Sequence, residues 1–550
     1  MKLKSLKLKN FKSIGAKAQT IEFKPITLLF GPNSSGKSTI VQALHYLYEI
    51  LERNNCDPGT THLGGKLDLG GFRNIVHLHD INSSIEISLG LSLGNTILPA
   101  NSEYSEDEHI YLGEFLNIDN LMDLGDLESA EVTLEVRWSQ LLNTAYVAAY
   151  HVSLDNECFA SISCSSDAKS AQLTKINYKH SNFSLPINDY DNEAQSVGEA
   201  LESCVENITY MPQPGESPAP DLYLQVHDGL SKAPLFGHKL FISPPWNKFI
   251  ESTLAVLEPD KEDDGFGYLT AYLERAISGP AELVRICLKQ FLYLGPLREI
   301  PGRNYQPELS PGLSRWASGL GAWDQIFNEG EKLVDKINEW MANDKRLDSG
   351  YELHYSEYKP LDIESPLLVA LRQGSELLES QEWINEQLDK VSTGKRTYLK
   401  DLRLDIELNP EDLGTGISQV LPVLVAVLGH TKHIVAIEQP ELHVHPKFQV
   451  ELGDLFAHAV GKNNGRKDSI FILETHSEYM MLRLLRRLYE TANDELEPGA
   501  PPLFSEDIAV YYVNPDGNDE LINHLRLTKE GEFLDRWPNG FFPERKKELF

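Results

Sequence analysis

Gly31-Pro32-Asn33-Ser34-Ser35-Gly36-Lys37-Ser38 fits G-x-x-x-x-G-K-[ST] at every fixed position. Its surroundings match as well. The apolar run Ile26-Thr27-Leu28-Leu29-Phe30 stops at Gly31, as a buried parallel strand would. From Ser38 to Leu51, Ile40, Val41, Ala43, Leu44, Leu47 and Ile50 recur at helical spacing. A strand, a glycine-rich loop and a helix in that order let backbone N–H groups and the helix N-terminus converge on phosphate. The pattern gives Asn33, Ser34, Ser35, Gly36, Lys37, Ser38 and Thr39 as the cradle. Lys37 is expected on the β- and γ-phosphates and Ser38 on Mg²⁺, so ATP and Mg²⁺ are the expected ligands. No N-K-x-D base-reading motif occurs, which argues against a GTPase.

A phosphate loop needs an acid from a neighbouring strand. Ile434-Val435-Ala436-Ile437-Glu438 offers four apolar residues and then a carboxylate, followed by Gln439-Pro440-Glu441-Leu442-His443-Val444-His445-Pro446. Ile470-Phe471-Ile472-Leu473-Glu474 is a second apolar run, leading into Thr475-His476-Ser477. Upstream, Gly414-Thr415-Gly416-Ile417-Ser418-Gln419 opens an apolar helix.

Together these segments resemble the Walker B, switch-histidine and signature elements of an ABC-type ATPase. The set is most similar to the clan of SMC proteins, RecF and OLD-family nucleases, and Leu6-Lys7-Leu8-Lys9-Asn10-Phe11-Lys12-Ser13 resembles that clan's first strand. The matching motifs cover about 1–80 and 400–515. The resemblance implies an α/β fold: an ABC-type P-loop ATPase head built from N- and C-terminal segments, with a β-rich and helical insertion between them. It places Glu438 (usually Asp) at the Mg²⁺-associated acid, with Ser38 as the other metal residue, and His476 at the switch histidine. Gly416 and Ser418 fall where the signature meets the γ-phosphate held by a partner subunit, although the segment departs from L-S-G-G. That geometry implies a head-to-tail dimer, or a higher oligomer, with ATP sandwiched between copies.

Gln439 stands where this class usually has its catalytic glutamate. An amide can orient water but cannot take its proton as a carboxylate does. Either hydrolysis is slow, or another acid such as Glu441 or Glu474 helps. His443 and His445 have the look of a metal pair, but a place in the loop after Walker B explains them better.

Of 550 residues, 41% are hydrophobic and 24% charged, an ordinary globular mix. That length predicts roughly three to five domains. No run approaches the ~18 apolar residues of a membrane span. The first residues alternate lysine with leucine and lack a signal-peptide core. Five cysteines, never CxxC-spaced, suit a reducing cytoplasm. Fifty Lys and Arg against 82 Asp and Glu give a net charge of −32, so nucleic acid contact needs a local basic patch. Eight lysines and two glutamates make the first fifty residues +6. A lysine-lined strand edge that discourages pairing explains them most simply.

The chain divides into an N-terminal ATPase lobe (1–100), an insertion that is β-rich then helical (101–290), a helical region (291–400), a C-terminal ATPase lobe (401–515) and a small extension (516–550). Helices are expected over 265–292, 321–345 and 365–390, and a last strand over Ile508 to Val513. No sustained heptads occur, which excludes a cohesin- or condensin-like SMC. The stretch from Glu530 to Phe542 resembles the C-terminal domain of ATPases in bacterial antiphage systems, above all the Septu type, also found with retrons. That resemblance implies control of an HNH-type nuclease partner, a retron reverse transcriptase–nucleic acid complex as a further partner, and no membrane. An OLD nuclease would append a Toprim domain, and no such acid set follows the last strand. The alternatives are a RecF-like DNA-repair clamp and the ATPase subunit of a transporter.

Overall fold

A computed structural model describes residues 1–56, 59, 68–94, 96–99, 127–164, 171–181, 199, 265–302, 305–429, 434–461, 469–514 and 521–538. Much of the 101–290 insertion lies outside them. The strands are β1 (Lys2–Lys9), β2 (Gln19–Glu22), β3 (Ile26–Phe30), β4 (Ile85–Ser92), β5 (Ser129–Ser139), β6 (Thr144–Leu154), β7 (Glu157–Cys164), β8 (Ala171–Ile176), β9 (Phe291–Leu294), β10 (Tyr351–Tyr358), β11 (Gly394–Asp401), β12 (Ile406–Leu408), β13 (Ile434–Glu438), β14 (Ile470–Glu474), β15 (Ile508–Val513) and β16 (Ile522–Leu525). The helices are α1 (Ser38–Arg53), α2 (Phe72–Ile75), α3 (Gly265–Lys289), α4 (Leu313–Ala317), α5 (Leu320–Glu329), α6 (Glu331–Met341), α7 (Pro366–Gln373), α8 (Gln381–Asp389), α9 (Thr415–Leu428), α10 (Pro446–Val460) and α11 (Glu478–Ala492).

Three sheets organise them. The central one has the order β16-β15-β3-β14-β13-β9, parallel except for β16. Its strands are apolar on both sides because both faces are covered. Ile434 and Ala436 enter the core shared with α1, while Val435 and Ile437 enter the core shared with α9, α10 and α11. The same alternation runs through Ile470, Phe471, Ile472 and Leu473. Helix α1 thus lies between the central sheet and a seven-stranded antiparallel sheet ordered β2-β1-β4-β5-β6-β7-β8. The third sheet, β10-β11-β12, packs Leu353 and Leu399 onto the other core. This is an α/β P-loop fold whose nucleotide-binding sheet is assembled from both ends of the chain.

Several expected boundaries move. The insertion's first strands, β5 to β8, continue the N-terminal antiparallel sheet through the β4–β5 pairing, so the sheet crosses the 100/101 division. The region 291–400 carries helices but opens with β9, which pairs with β13 in the central sheet. Only Gln290 separates β9 from the end of α3, and the helical reading of 265–292 ran over it. At the C-terminal end, β16 extends the central sheet, and Trp537 packs against Phe30, Tyr512 and Phe533. No described helix is long and apolar enough to cross a membrane.

Helices α10 and α11 follow the two acid-bearing strands and are locked by a buried ionic cluster. Arg487 makes paired hydrogen bonds of 2.7 Å to both Asp454 oxygens and also reaches Glu490. All three residues are buried. Without Arg487, among the described residues Glu490 keeps only Arg486 and Asp454 only Arg483, at 3.7 Å. We therefore expect Arg487→Leu to destabilise the protein by about 1–3 kcal/mol, read as a lowered urea midpoint. An unchanged midpoint would show that the cluster contributes nothing net.

Candidate functional site

The loop after β3 is shaped by two glycines that admit no side chain. Gly31 has φ +146°, and a Cβ there would lie 2.4 Å from the Val513 carbonyl oxygen. Gly36 has φ +101°, and its Cβ would fall 2.2 Å from the Ser13 hydroxyl. The loop is thereby pressed between the end of β15 and the turn after β1. Asn33 and Ser34 remain exposed, Ser35 is buried with an unpartnered hydroxyl, and Thr39 is buried 3.4 Å from the Ser13 hydroxyl. Helix α1 begins without a side-chain cap and without an acid in its first turn, so its dipole favours an anion there, while the Thr39 and Ile40 N–H groups turn back to the Gly36 and Lys37 carbonyls.

Lys37 is buried, and its ammonium donates to the carbonyls of Gly31 (3.0 Å) and Pro32 (2.8 Å). It also lies 3.7 Å from a Glu474 oxygen. Burial lowers its pKa, against the pull of Glu474. Ser38 donates its hydroxyl to the other Glu474 oxygen at 2.8 Å. Strand β14 lies between β3 and β13 and runs parallel to both, with Glu438 and Glu474 in register. Two carboxylates therefore end side by side, facing the first residues of α1.

The pair is electrostatically strained. Burial first, and then the Glu474 charge, push the Glu438 carboxyl up to about 7, against Tyr293, Ser38 and Lys37. The Tyr293 hydroxyl donates to Glu438, and burial followed by that charge raises the phenol in turn. A divalent cation would relieve this strain. Mg²⁺ usually takes one or two carboxylates and completes its shell with phosphate oxygens and water. Ser38 and Glu438 fit that requirement, so the donor set suits Mg²⁺ held together with a triphosphate.

Other sequence-derived residues gather here with different partners. Gln439 sits at φ +45° with its N–H bonded to the Glu474 carbonyl at 2.7 Å. Glu441, half-buried and raised in pKa by the loss of solvent around its carboxyl, accepts from the Thr475 hydroxyl (2.9 Å) and the His476 N–H (2.7 Å). It holds the switch segment in place. The His476 side chain is exposed, and partial burial of its ring together with Lys37 lowers its pKa. His445 accepts from the Lys447 N–H at 3.2 Å and so caps α10.

The two signature residues are placed differently. Ser418 is fully buried, and its hydroxyl turns back to the carbonyls of Gly414 (3.3 Å) and Thr415 (3.0 Å). As the fourth residue of α9 it bonds the preceding turn, as serine commonly does within helices. The groups turned outward at that helix start are Thr415 and, half-buried beside the His443 carbonyl, Gly416.

Arg298 was not found from sequence. It is buried, and it donates to the carbonyls of Gln419 (3.2 Å), Glu438 (2.9 Å) and Gln439 (3.2 Å). Burial lowers its pKa to about 10, with Glu441 opposing. Gln419 answers by donating to the Arg298 carbonyl at 2.8 Å. One cation thus ties the start of α9 to the end of β13. The only sequence signal was a charged residue soon after the apolar run Phe291–Leu294.

A family profile described as "AAA ATPase domain" matches residues 1–202 and 322–481. No curated protein matches the chain. Similar solved structures include an Smc head bound to the C-winged helix domain of ScpA, at TM-score 0.38 and 12% identity over 96% of this chain and 99% of that one. An Smc head with an extended coiled coil, bound to the C-terminal domain of ScpA from Pyrococcus furiosus, has TM-score 0.37 and 12% identity over 96% of each chain. The SMC head domain from Thermotoga maritima has TM-score 0.33 and 10% identity over 96% of this chain and 100% of that one.

The Glu438 carboxyl predicts a pH effect. Its folded pKa of about 7 exceeds the ordinary 4.5, so the folded state holds the extra proton between those values. Stability of the nucleotide-free protein should fall as pH rises from 4.5 through 7, by at most about 3 kcal/mol from this group. Glu438→Gln should therefore melt higher than wild type at pH 8 and equally at pH 4.5, in EDTA. Parallel melting curves across that range would refute the assignment.

Proposed function

We propose that this chain, which belongs to the AAA ATPase domain family, is an ABC-type ATPase that binds Mg·ATP and hydrolyses it slowly. The observation that carries this reading is the convergence of Lys37 and Ser38 with Glu438 and Glu474, beside an amide at 439. In this reading Lys37 leaves its two carbonyl partners for the β- and γ-phosphates, and N–H groups at the start of α1 bind phosphate oxygens. Bound Mg²⁺ supplies charge neutralisation between phosphate and carboxylates. Ser38 and Glu438 hold it, and His476, kept in place through Glu441, faces the γ-phosphate.

Two copies close head to tail, each offering the start of α9 to the other's ATP. With Ser418 turned inward, Thr415 and Gly416 make that contact. A dimer that stays closed while hydrolysis is slow suits a sensor that restrains a damaging partner. The motif set of the SMC, RecF and OLD clan, together with the Septu-like stretch from Glu530, supports a regulatory subunit of a bacterial antiphage complex that controls an HNH-type nuclease. A retron reverse transcriptase–nucleic acid complex is a further candidate partner, in the cytoplasm. The chain itself acts as an ATPase and not as a nuclease. The exposed Lys2, Lys4 and Lys7 on β1 favour one other reading, a RecF-like DNA clamp. Salt-dependent duplex binding by the isolated protein would support it.

Two expectations test the proposal. Lys37→Ala should lose measurable ATP binding by calorimetry. Thr415→Glu should keep it but lose the ATP-dependent dimer in light scattering, because a carboxylate would face the partner's phosphates. A dimer that survives Thr415→Glu would place the interface elsewhere.

The rate is the second point. Positioned general-base catalysis contributes ~10²–10⁴-fold, and wild-type turnover should lie well below the ~10 s⁻¹ typical of enzymes. Gln439→Glu should raise phosphate release at least tenfold. Turnover of several per second in the wild type, unchanged by Gln439→Glu, would remove the slow-switch idea.

A further inference from the structure

The amide at 439 leaves open which group receives the proton of the attacking water. Three carboxylates lie near the loop, and their partners distinguish them. Both Glu441 oxygens are engaged, by Thr475 and by the backbone of His476, and neither partner belongs to the phosphate loop. Glu438 takes the Tyr293 hydroxyl and faces Ser38, the place for the metal. Glu474 differs from both. One of its oxygens accepts from Ser38 at 2.8 Å and the other lies 3.7 Å from the Lys37 ammonium. These two partners are the ones that Mg·ATP draws to itself, Ser38 to the metal and Lys37 to the phosphates. Nucleotide binding therefore frees Glu474, on the strand between the phosphate-loop strand and the Glu438 strand. Its backbone carbonyl is meanwhile fixed by the N–H of Gln439 at 2.7 Å.

We propose that Glu474 is the catalytic carboxylate of this ATPase, doing from β14, and less effectively, the work usually done by the residue after the Walker B acid, so that turnover stays slow. The inference rests on the ATPase reading above. In the step, the water oxygen bonds to the γ-phosphorus while its proton passes to the Glu474 carboxylate. The bond from that phosphorus to the bridging oxygen breaks, and its electron pair leaves with ADP. Because Glu474 is stabilised by Ser38 and Lys37 until ATP arrives, it becomes available only in the loaded state.

The test compares wild type with Glu474→Gln and with Glu474→Gln/Gln439→Glu, each checked for cooperative thermal unfolding. ATP affinity is read by calorimetry, Mn²⁺ affinity in the ATP complex by electron paramagnetic resonance, and hydrolysis by single turnover with enzyme in excess. Glu474→Gln should slow the already slow hydrolysis at least tenfold, with ATP and Mn²⁺ affinities within threefold of wild type. Adding Gln439→Glu should restore at least tenfold of the lost rate. Hydrolysis within threefold of wild type in Glu474→Gln would overturn the proposal. So would a tenfold loss of Mn²⁺ affinity, which would make Glu474 a metal ligand, or a loss of rate that Gln439→Glu leaves unrepaired. Absence of ATP binding in the wild type would instead remove the ATPase reading itself.

Discussion

Two glutamates at the ends of adjacent parallel strands, set against one lysine and one serine, are the interaction around which the rest is arranged. Glu438 and Glu474 are held in register by five paired residues of β13 and β14. Burial first, and the neighbouring Glu474 charge second, impose a cost on ionised Glu438 and raise its carboxyl. The apo site meets it partly with Lys37, Ser38 and Tyr293. A metal-bound triphosphate would meet it more fully, since it would bring a divalent cation to Ser38 and Glu438 and an anion for the lysine. Ligand binding and relief of strain are then the same event.

The surrounding structure keeps these groups from moving apart. Gly31 and Gly36 allow the loop to lie against the Val513 carbonyl and Ser13, so both ends of the chain bear on its shape. Arg298 gathers the carbonyls of Gln419, Glu438 and Gln439. It makes the start of α9 and the end of β13 one mechanical unit. A group that touches α9 from outside would therefore be felt at Glu438 and Gln439 without a long relay. The buried Arg487 cluster holds the two following helices together, which fixes the segments on which His476 and the Walker B loop ride.

Much of this was legible in the sequence, for reasons that differ by element. The strand from Ile508 to Val513 has the bounds expected of it, because a bounded apolar run between loops has few other uses. The phosphate loop was legible because its glycines and lysine are required by phosphate chemistry. Strand β9 was not, since four residues directly after a 25-residue helix carry no period of their own. Arg298 was invisible because its meaning lies in three carbonyls contributed by distant segments. The inward turn of Ser418 was not legible, because the motif fixes which residues open the helix, whereas the helix start at Thr415 decides which hydroxyl points inward. Glu474 was legible only as one acid among several. The strand order singled it out.

The central claim is that Mg·ATP binding discharges the strain of the Glu438–Glu474 pair. The most direct measurement is calorimetric titration of Mg·ATP into the wild-type protein at pH 7, in buffers of different ionisation enthalpy. Binding should release a fraction of a proton per chain, because Glu438 is partly protonated at that pH before the metal arrives, and the release should vanish at pH 8.5. Binding whose heat is independent of buffer at pH 7 would contradict the account.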